Sequence, residues 1–164
     1  MNPFKIISRI QPIGLWHLLK LAVPYVTYLW PTYRATKTCM ELSTEHFGEK
    51  HYQNGQANAF RHALWNVLIA KYCTTSTKAT FRALNWTKKI TDWHEETFFS
   101  KELPMKMDYH NNEVGRNLFE EHPKWSQVAF VQRLLALTEN ALKINLETNL
   151  NQLKNRLVYV SDDH

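Results

Sequence analysis

At 164 residues, with a formal net charge of +5 and a pI near 9.2, the chain is long enough for one domain with a sizeable core and too short for two. Only 4 Gly and 6 Pro, amid many Leu, Ala, Lys, Glu and Gln, exclude the turn-dense sandwiches and barrels and leave an all-α bundle as the expectation. Cys39 and Cys73 have no regular spacing, which excludes a disulfide framework or zinc knuckle and predicts reduced thiols in a cytoplasmic protein.

The positive balance favours an anionic small molecule, a lipid headgroup or nucleic acid as partner. Lys5 and Arg9 precede an apolar run from Ile10 to Trp30, interrupted by His17, Lys20, Pro12, Pro24 and Pro31. No small-residue cleavage pattern follows, so the run fits neither a signal peptide nor a spanning anchor. An N-terminal apolar helix over about 13–30 is predicted instead, with Leu15, Leu18, Leu19, Ala22 and Val23 on a face docked to the core. The competing reading is a basic amphipathic helix in peripheral contact with a membrane through residues 10–30.

Thr32 to about Phe47 reads as helix stopped by Gly48, and a further helix is expected from near Gln56 to about Tyr72. Trp86, Ile90 and Trp93 give the stretch Thr77 to Phe99 a helical face, and Pro104 then marks a connection before a helix from about Met107 to Glu121. Beyond Pro123, Val131, Leu135, Leu142, Leu146, Leu150, Leu153 and Leu157 step by three, four or seven residues. They predict one long C-terminal helix over about 125–158, weakest at its Asn-rich stretch, packed on the bundle or on a second copy in a homodimer. The expectation is thus a single helical domain over 1–164 with about six helices and a motif core at about 54–119.

Three blocks put polar residues into segments otherwise written as buried helix, where unpartnered polar groups are costly. Asn58, His62 and Asn66 are spaced four apart and stack along one side of their helix, with Arg61 one step around. A satisfied hydrogen-bond ladder would explain the asparagines, but a ladder needs no His where Asn suffices. In the second block a helical wheel places His94 on the flank of the apolar face, and Glu95 and Asp92 progressively away from it. Asp92 with Lys88 and Glu96 then reads as a solvated face, while His94 or Glu95 could face a cleft. In the third block Asn111 falls at the middle of an apolar face of Met107, Val114 and Leu118, with Asp108, Asn112 and Gly115 beside it and Arg116 four residues beyond Asn112. His110 points to the flank. A glycine inside a helix costs nearly 1 kcal/mol relative to Ala, so Gly115 predicts a close approach.

Asn58-Ala59-Phe60-Arg61-His62-Ala63-Leu64-Trp65-Asn66, then Asp92, His94 and Glu95, then Met107, Asp108, His110, Asn111, Asn112, Gly115 and Arg116 together resemble the signature of a family of small, poorly characterised bacterial helical domains. The resemblance spans about Asn54 to Phe119. Relatives of that family occur at the C-terminal ends of large secreted proteins of the polymorphic-toxin kind, which implies a compact enzyme without naming its reaction. The chain opens at Met1 with no delivery region ahead of it, so an intracellular role is expected as readily as a toxin role.

His62, Glu95 and Asp108 offer the N and O ligands of a hydrolytic site for a divalent metal ion. His62, Asn66, Asp108, Asn111 and Arg116 are the expected catalytic set in one cleft, with Asn58, Arg61, His94, His110 and Asn112 contacting substrate. Metal-assisted phosphoester hydrolysis, on a phosphodiester or a phospholipid, is the leading expectation. No HExxH, paired CxxC, phosphate loop or Gly-x-Ser-x-Gly elbow is present. The alternatives are a metal-free hydrolase using His62 as base, and a non-catalytic binding or oligomerisation module whose polar core only fixes packing. On the enzyme reading, Asn111→Ala and Arg116→Ala should fold normally and lose activity.

Overall fold

The computed structural model describes residues 12–74, 79–98 and 101–160, and over these the protein is an all-α single domain. Helix α1 (Pro12–Ala22) passes through a single 3-10 turn (Val23–Tyr25) into α2 (Val26–Phe47). Then follow α3 (Gln56–Cys73), α4 (Thr80–Thr97), α5 (Glu102–Glu121) and α6 (Gln127–Glu139). Because α1 and α2 run on through one turn, the bundle has about five packed helices rather than six. Lys5, Arg9 and Ile10 lie outside the described residues.

Helix α3 is the axis. Ala59, Phe60, Ala63, Leu64, Val67, Leu68, Ile69 and Ala70 are completely buried around its whole circumference, and α2, α4, α5 and α6 pack about it. A helix apolar on every side has no solvent face, which leaves its polar residues no escape to water. Helix α2 ends where Gly48 takes φ +57° and its N–H bonds the Thr44 carbonyl, a conformation that favours glycine. Two indole N–H groups fasten α2 to the bundle, Trp65 to Thr36 Oγ1 and Trp86 to Thr32 Oγ1, each at 2.8 Å.

Gly115 lies against Ala63 where α5 crosses α3: a Cβ there would meet the Ala63 carbonyl oxygen at 2.2 Å and its Cα at 2.8 Å. The close approach expected from a mid-helix glycine is therefore real. It brings the polar residues of α3 and α5 within reach of each other.

The long C-terminal helix is not formed. Helix α6 is capped at its start by Ser126, whose Oγ accepts from the Ala129 N–H, and ends at Glu139. The chain then makes strand β1 (Leu142–Lys143), a 3-10 turn (Leu150–Gln152) and strand β2 (Val158–Tyr159), with β1 and β2 pairing in parallel. The asparagines explain the departure. Asn145 Oδ1 accepts from the Glu147 N–H and Asn149 Oδ1 from the Asn151 N–H, local bonds that compete with a helical ladder. Part of the expected apolar stripe still packs on the bundle: Leu157 joins the main core, while Leu150 and Leu153 pack on a smaller cluster of Met107, Ile144 and Val158. The helix face proposed for a homodimer does not exist.

The N-terminal expectation also needs correction. Leu18 and Leu21 pack on the core, and the Trp93 indole bonds the Gly14 carbonyl at 3.0 Å. Leu15, Leu19 and Val23, expected on the buried face, are exposed, because α1 rests on the edge of the bundle, chiefly against α4.

Candidate functional site

Three helices each send a polar stripe spaced four residues apart into the same volume: Asn58, His62 and Asn66 from α3; Thr87, Thr91 and Glu95 from α4; Asp108, Asn112 and Arg116 from α5. All but Arg116 are buried. Four-residue spacing keeps each set on one helix side, and packing on α3 turns the three sides inward.

His62 is at the centre. Its Nδ1 lies 3.2 Å from Asn112 Oδ1 and 3.4 Å from Glu95 Oε1, while its Nε2 lies 3.3 Å from Asp108 Oδ1 and 3.0 Å from Arg61 Nη2. Asn112 is the hub of the support: Nδ2 donates to Glu95 Oε1 at 2.9 Å and Oδ1 accepts from Asn66 Nδ2 at 2.7 Å. Asn66 in turn donates to the His62 carbonyl, and its Oδ1 accepts from Arg116 Nη1 at 2.9 Å and from Thr91 Oγ1 at 3.3 Å.

The electrostatics split the two carboxylates. Burial opposes ionisation of Glu95, but its bond to His62, the charges of His62 and His94 and the Asn112 amide outweigh burial and hold its pKa down at about 2. Asp108 lacks such donors, and burial raises it to about 6 against the attraction of His62. Burial would lower the His62 pKa, yet Asp108 and Glu95 overcome it and the pKa is raised. Burial takes His94 down to about 4, so it is neutral at pH 7.

The surroundings of His62 Nε2 cannot all be satisfied by protons alone. If Nε2 carries a hydrogen it can serve Asp108 but confronts the Arg61 donor; if it carries a lone pair it serves Arg61 but faces a carboxylate oxygen. Asp108 Oδ1 is buried with no hydrogen-bond partner, and so is Asn58 Oδ1, one turn before His62. His62, Glu95 and Asp108 each offer one ligand atom, all within 4.8 Å of one another. This buried group could hold a metal ion, and the orphaned Asp108 oxygen fits that use. Without one, the same residues form a salt-bridged cluster.

A cavity of about 220 Å³ opens beside His62, walled by Arg61, Trp65 and His94 and, from α2, by Thr36, Cys39 and Met40. The His94 ring meets Trp65 edge-on at 5.1 Å. Arg116 is not in this cavity. It lines a separate pocket of about 450 Å³ with Lys88, Asp92, Glu113 and Lys154, so the two arginines expected to share a substrate sit at opposite ends of the network.

Of the expected site residues, the structure gathers His62, Glu95, Asp108, Asn66 and Asn112, keeps Arg61 and His94 on the cavity wall, and turns three elsewhere. Asn111 grips β2, donating to the Val158 carbonyl at 2.8 Å and accepting from the Val158 N–H at 3.0 Å. The His110 imidazole Nε2 is 2.9 Å from the Arg156 carbonyl, and Arg116 faces the second pocket. Glu95 points inward rather than away from the apolar face, because α4 is covered on two sides: Trp93 reaches α1 while Thr87, Thr91 and Glu95 meet α3 and α5. Asp92 pairs with Lys88 as expected, but it is half-buried rather than solvated: its Oδ1 has no hydrogen-bond partner, and it lines the second pocket with Arg116. Sequence reasoning missed Thr91 and the cavity wall supplied by α2; the i, i+4, i+8 run of Thr87, Thr91 and Glu95 was the available signal for the first. No curated protein and no solved structure matches the chain. Residues 19–142, which hold every side chain of this cluster, match the family described as a domain of unknown function, DUF6973, and the chain belongs to that family.

Proposed function

We propose that the protein is a metal-dependent hydrolase of phosphoesters acting in the cavity beside His62. The observation that carries the reading is the buried His62, Glu95 and Asp108 set, whose Asp108 Oδ1 has no hydrogen-bond partner. When bound there, a divalent ion would supply an activated water and a Lewis acid for the phosphoryl oxygen. The remaining steps belong to the protein. Asn112 fixes the orientation of Glu95 and His62 through bonds at 2.9 and 3.2 Å, the kind of support that holds ligands in place. Arg61, on the cavity wall, is the group available to a substrate phosphate and to the charge that develops on it. Trp65 and Met40 give the cavity apolar sides that exclude water.

The test is metal analysis of the purified protein together with thermal melts across Mg, Mn, Zn and Ni. We expect one ion per chain and a higher Tm, since a ligand at a hundredfold its Kd adds about 2.7 kcal/mol of stability; His62→Ala should remove both, and with them the hydrolysis of bis-nitrophenyl phosphate or phospholipid. No stoichiometric ion and no shift with any of the four metals would falsify the metal site. A second reading then gains from the same geometry: Asp108, raised to about 6, and His62 form a metal-free acid and base pair. If the wild type hydrolyses nothing and shows no toxicity on expression, the toxin-like enzyme implied by the motifs gives way to a binding module.

A further inference from the structure

Eight of the twelve exposed large hydrophobic residues among the described residues fall between positions 15 and 33. On α2, Val26, Leu29, Trp30 and Tyr33 are spaced i, i+3, i+4, i+7 and so share one side of the helix, turned away from the side on which Tyr28, Ala35 and Cys39 are buried. Trp16 and Leu19 continue the surface onto α1, and Val23 at the joint is 77 % exposed. A contiguous apolar surface of this kind marks an interaction site.

Charge identifies the partner. No Asp or Glu occurs in the chain before Glu41, whereas Lys20, Arg34 and Lys37 lie on these two helices. Lys20 Nζ is 5.0 Å from the centre of the Trp16 ring, which puts an ammonium beside an indole at the edge of the apolar surface. Arg82 adds a cation from α4 by donating to the Pro24 carbonyl at 2.7 Å, and its chain neighbour Phe81 is 80 % exposed. Of the three acids of α4, Glu95 is turned into the core, Asp92 is paired with Lys88, and Glu96, exposed near the helix C-terminus, acts on Tyr109 of α5. Aromatic and aliphatic side chains bordered by Lys20, Arg34 and Arg82, with Lys37 beside them paired to Glu41, match the headgroup and upper acyl region of an anionic bilayer. A second copy of the chain fits worse, because a two-fold pairing would set Lys20, Arg34 and Lys37 against their own charges. No helix among the described residues is long and apolar enough to cross a membrane, so the contact is with its surface.

We infer that the exposed face of α1 and α2 docks the protein on anionic phospholipid membranes. This does not depend on the hydrolase reading, although Thr36 and Met40 of the same helix line the cavity beside His62 and docking would bring the lipid surface near it. The experiment is flotation of the full chain with vesicles of phosphatidylcholine alone or mixed with phosphatidylglycerol, with tryptophan emission followed in parallel. Expected are binding to the mixed vesicles with a blue shift, weakening with salt, and little binding to phosphatidylcholine alone. Lys20→Glu should weaken binding on the order of tenfold, and Trp16→Ser with Trp30→Ser should abolish it, while both variants keep the wild-type melting curve because the changed side chains are exposed. Failure of the wild type to bind mixed vesicles overturns the proposal, as does undiminished binding by the variants. A dimer in light scattering that the tryptophan variant abolishes, without vesicle binding, assigns the face to a second copy instead.

Discussion

At the scale of single residues, neighbours in sequence have opposite tasks. Asn111 and Asn112 are both completely buried, but Asn111 closes two bonds with the backbone of β2, whereas Asn112 joins His62, Glu95 and Asn66. The sequence reading expected Asn111→Ala to fold normally. The structure reverses that expectation: the substitution strands the Val158 N–H and C=O, and urea unfolding should show a loss of about 1–3 kcal/mol. Asn112→Ala should instead weaken metal binding about 10- to 100-fold, read by competition with a chelating dye. The two thiols make a further prediction. Burial raises Cys39 to about 12 and Cys73 to about 11, against an ordinary value of 9.0. Both acids are therefore harder to ionise in the folded chain, so the stability they contribute is present below pH 9 and is lost as pH rises from there through 11 and 12. Denaturation midpoints measured at rising pH should fall in that window, and Cys39→Ser with Cys73→Ser should flatten the fall. A midpoint that falls equally in the double variant would assign the effect to other groups.

At the scale of elements, the crossing of α3 and α5 controls everything near His62. Gly115→Ala would drive a methyl into the Ala63 backbone, which no flexible side chain can relieve, and we expect a cost of about 3 kcal/mol or more, measured by chemical unfolding. The end of α2 at Gly48 and the spans of α3 and α4 were largely legible in the sequence, but two starts were not. Helix α2 begins at Val26 rather than Thr32 and runs through Pro31, and α5 begins at Glu102 rather than Met107, with Pro104 in its first turn instead of a connection. At that position a proline's missing N–H costs no helical bond. The helix beyond Pro123 was not legible. Its leucines do keep helical spacing, but Leu142 stands in β1 and Leu157 packs into the core just before β2, and asparagines that bond their own backbone outweigh the spacing. Glu95 was legible as a residue type able to bind a metal, yet its direction was not, since a wheel drawn for one apolar face cannot anticipate a helix covered on two.

For the whole molecule, the two proposed functions fall to a buried cluster and an exposed apolar face, both of which involve α2. Their separation means that docking and turnover should be lost independently: His62→Ala is expected to float with anionic vesicles as the wild type does, and the tryptophan variant to bind metal as the wild type does. Loss of both properties in either variant would show a shared folding defect. The network between the two openings has one more property. A guanidinium can only donate and a carboxylate can only accept, so with Arg116 at one end and Glu95 at the other, Asn66 must turn its oxygen to Arg116 and Asn112 must turn its nitrogen to Glu95. The series has a sense of direction, written at both ends: by the Arg116 charge on the far side of the bundle, and by Glu95 and the His62 carbonyl, which can only accept. Arg116→Met therefore leaves that sense in place, and the side-chain amide signals of Asn66 and Asn112 should each stay single; a second state for both would show that Arg116 alone had set the direction.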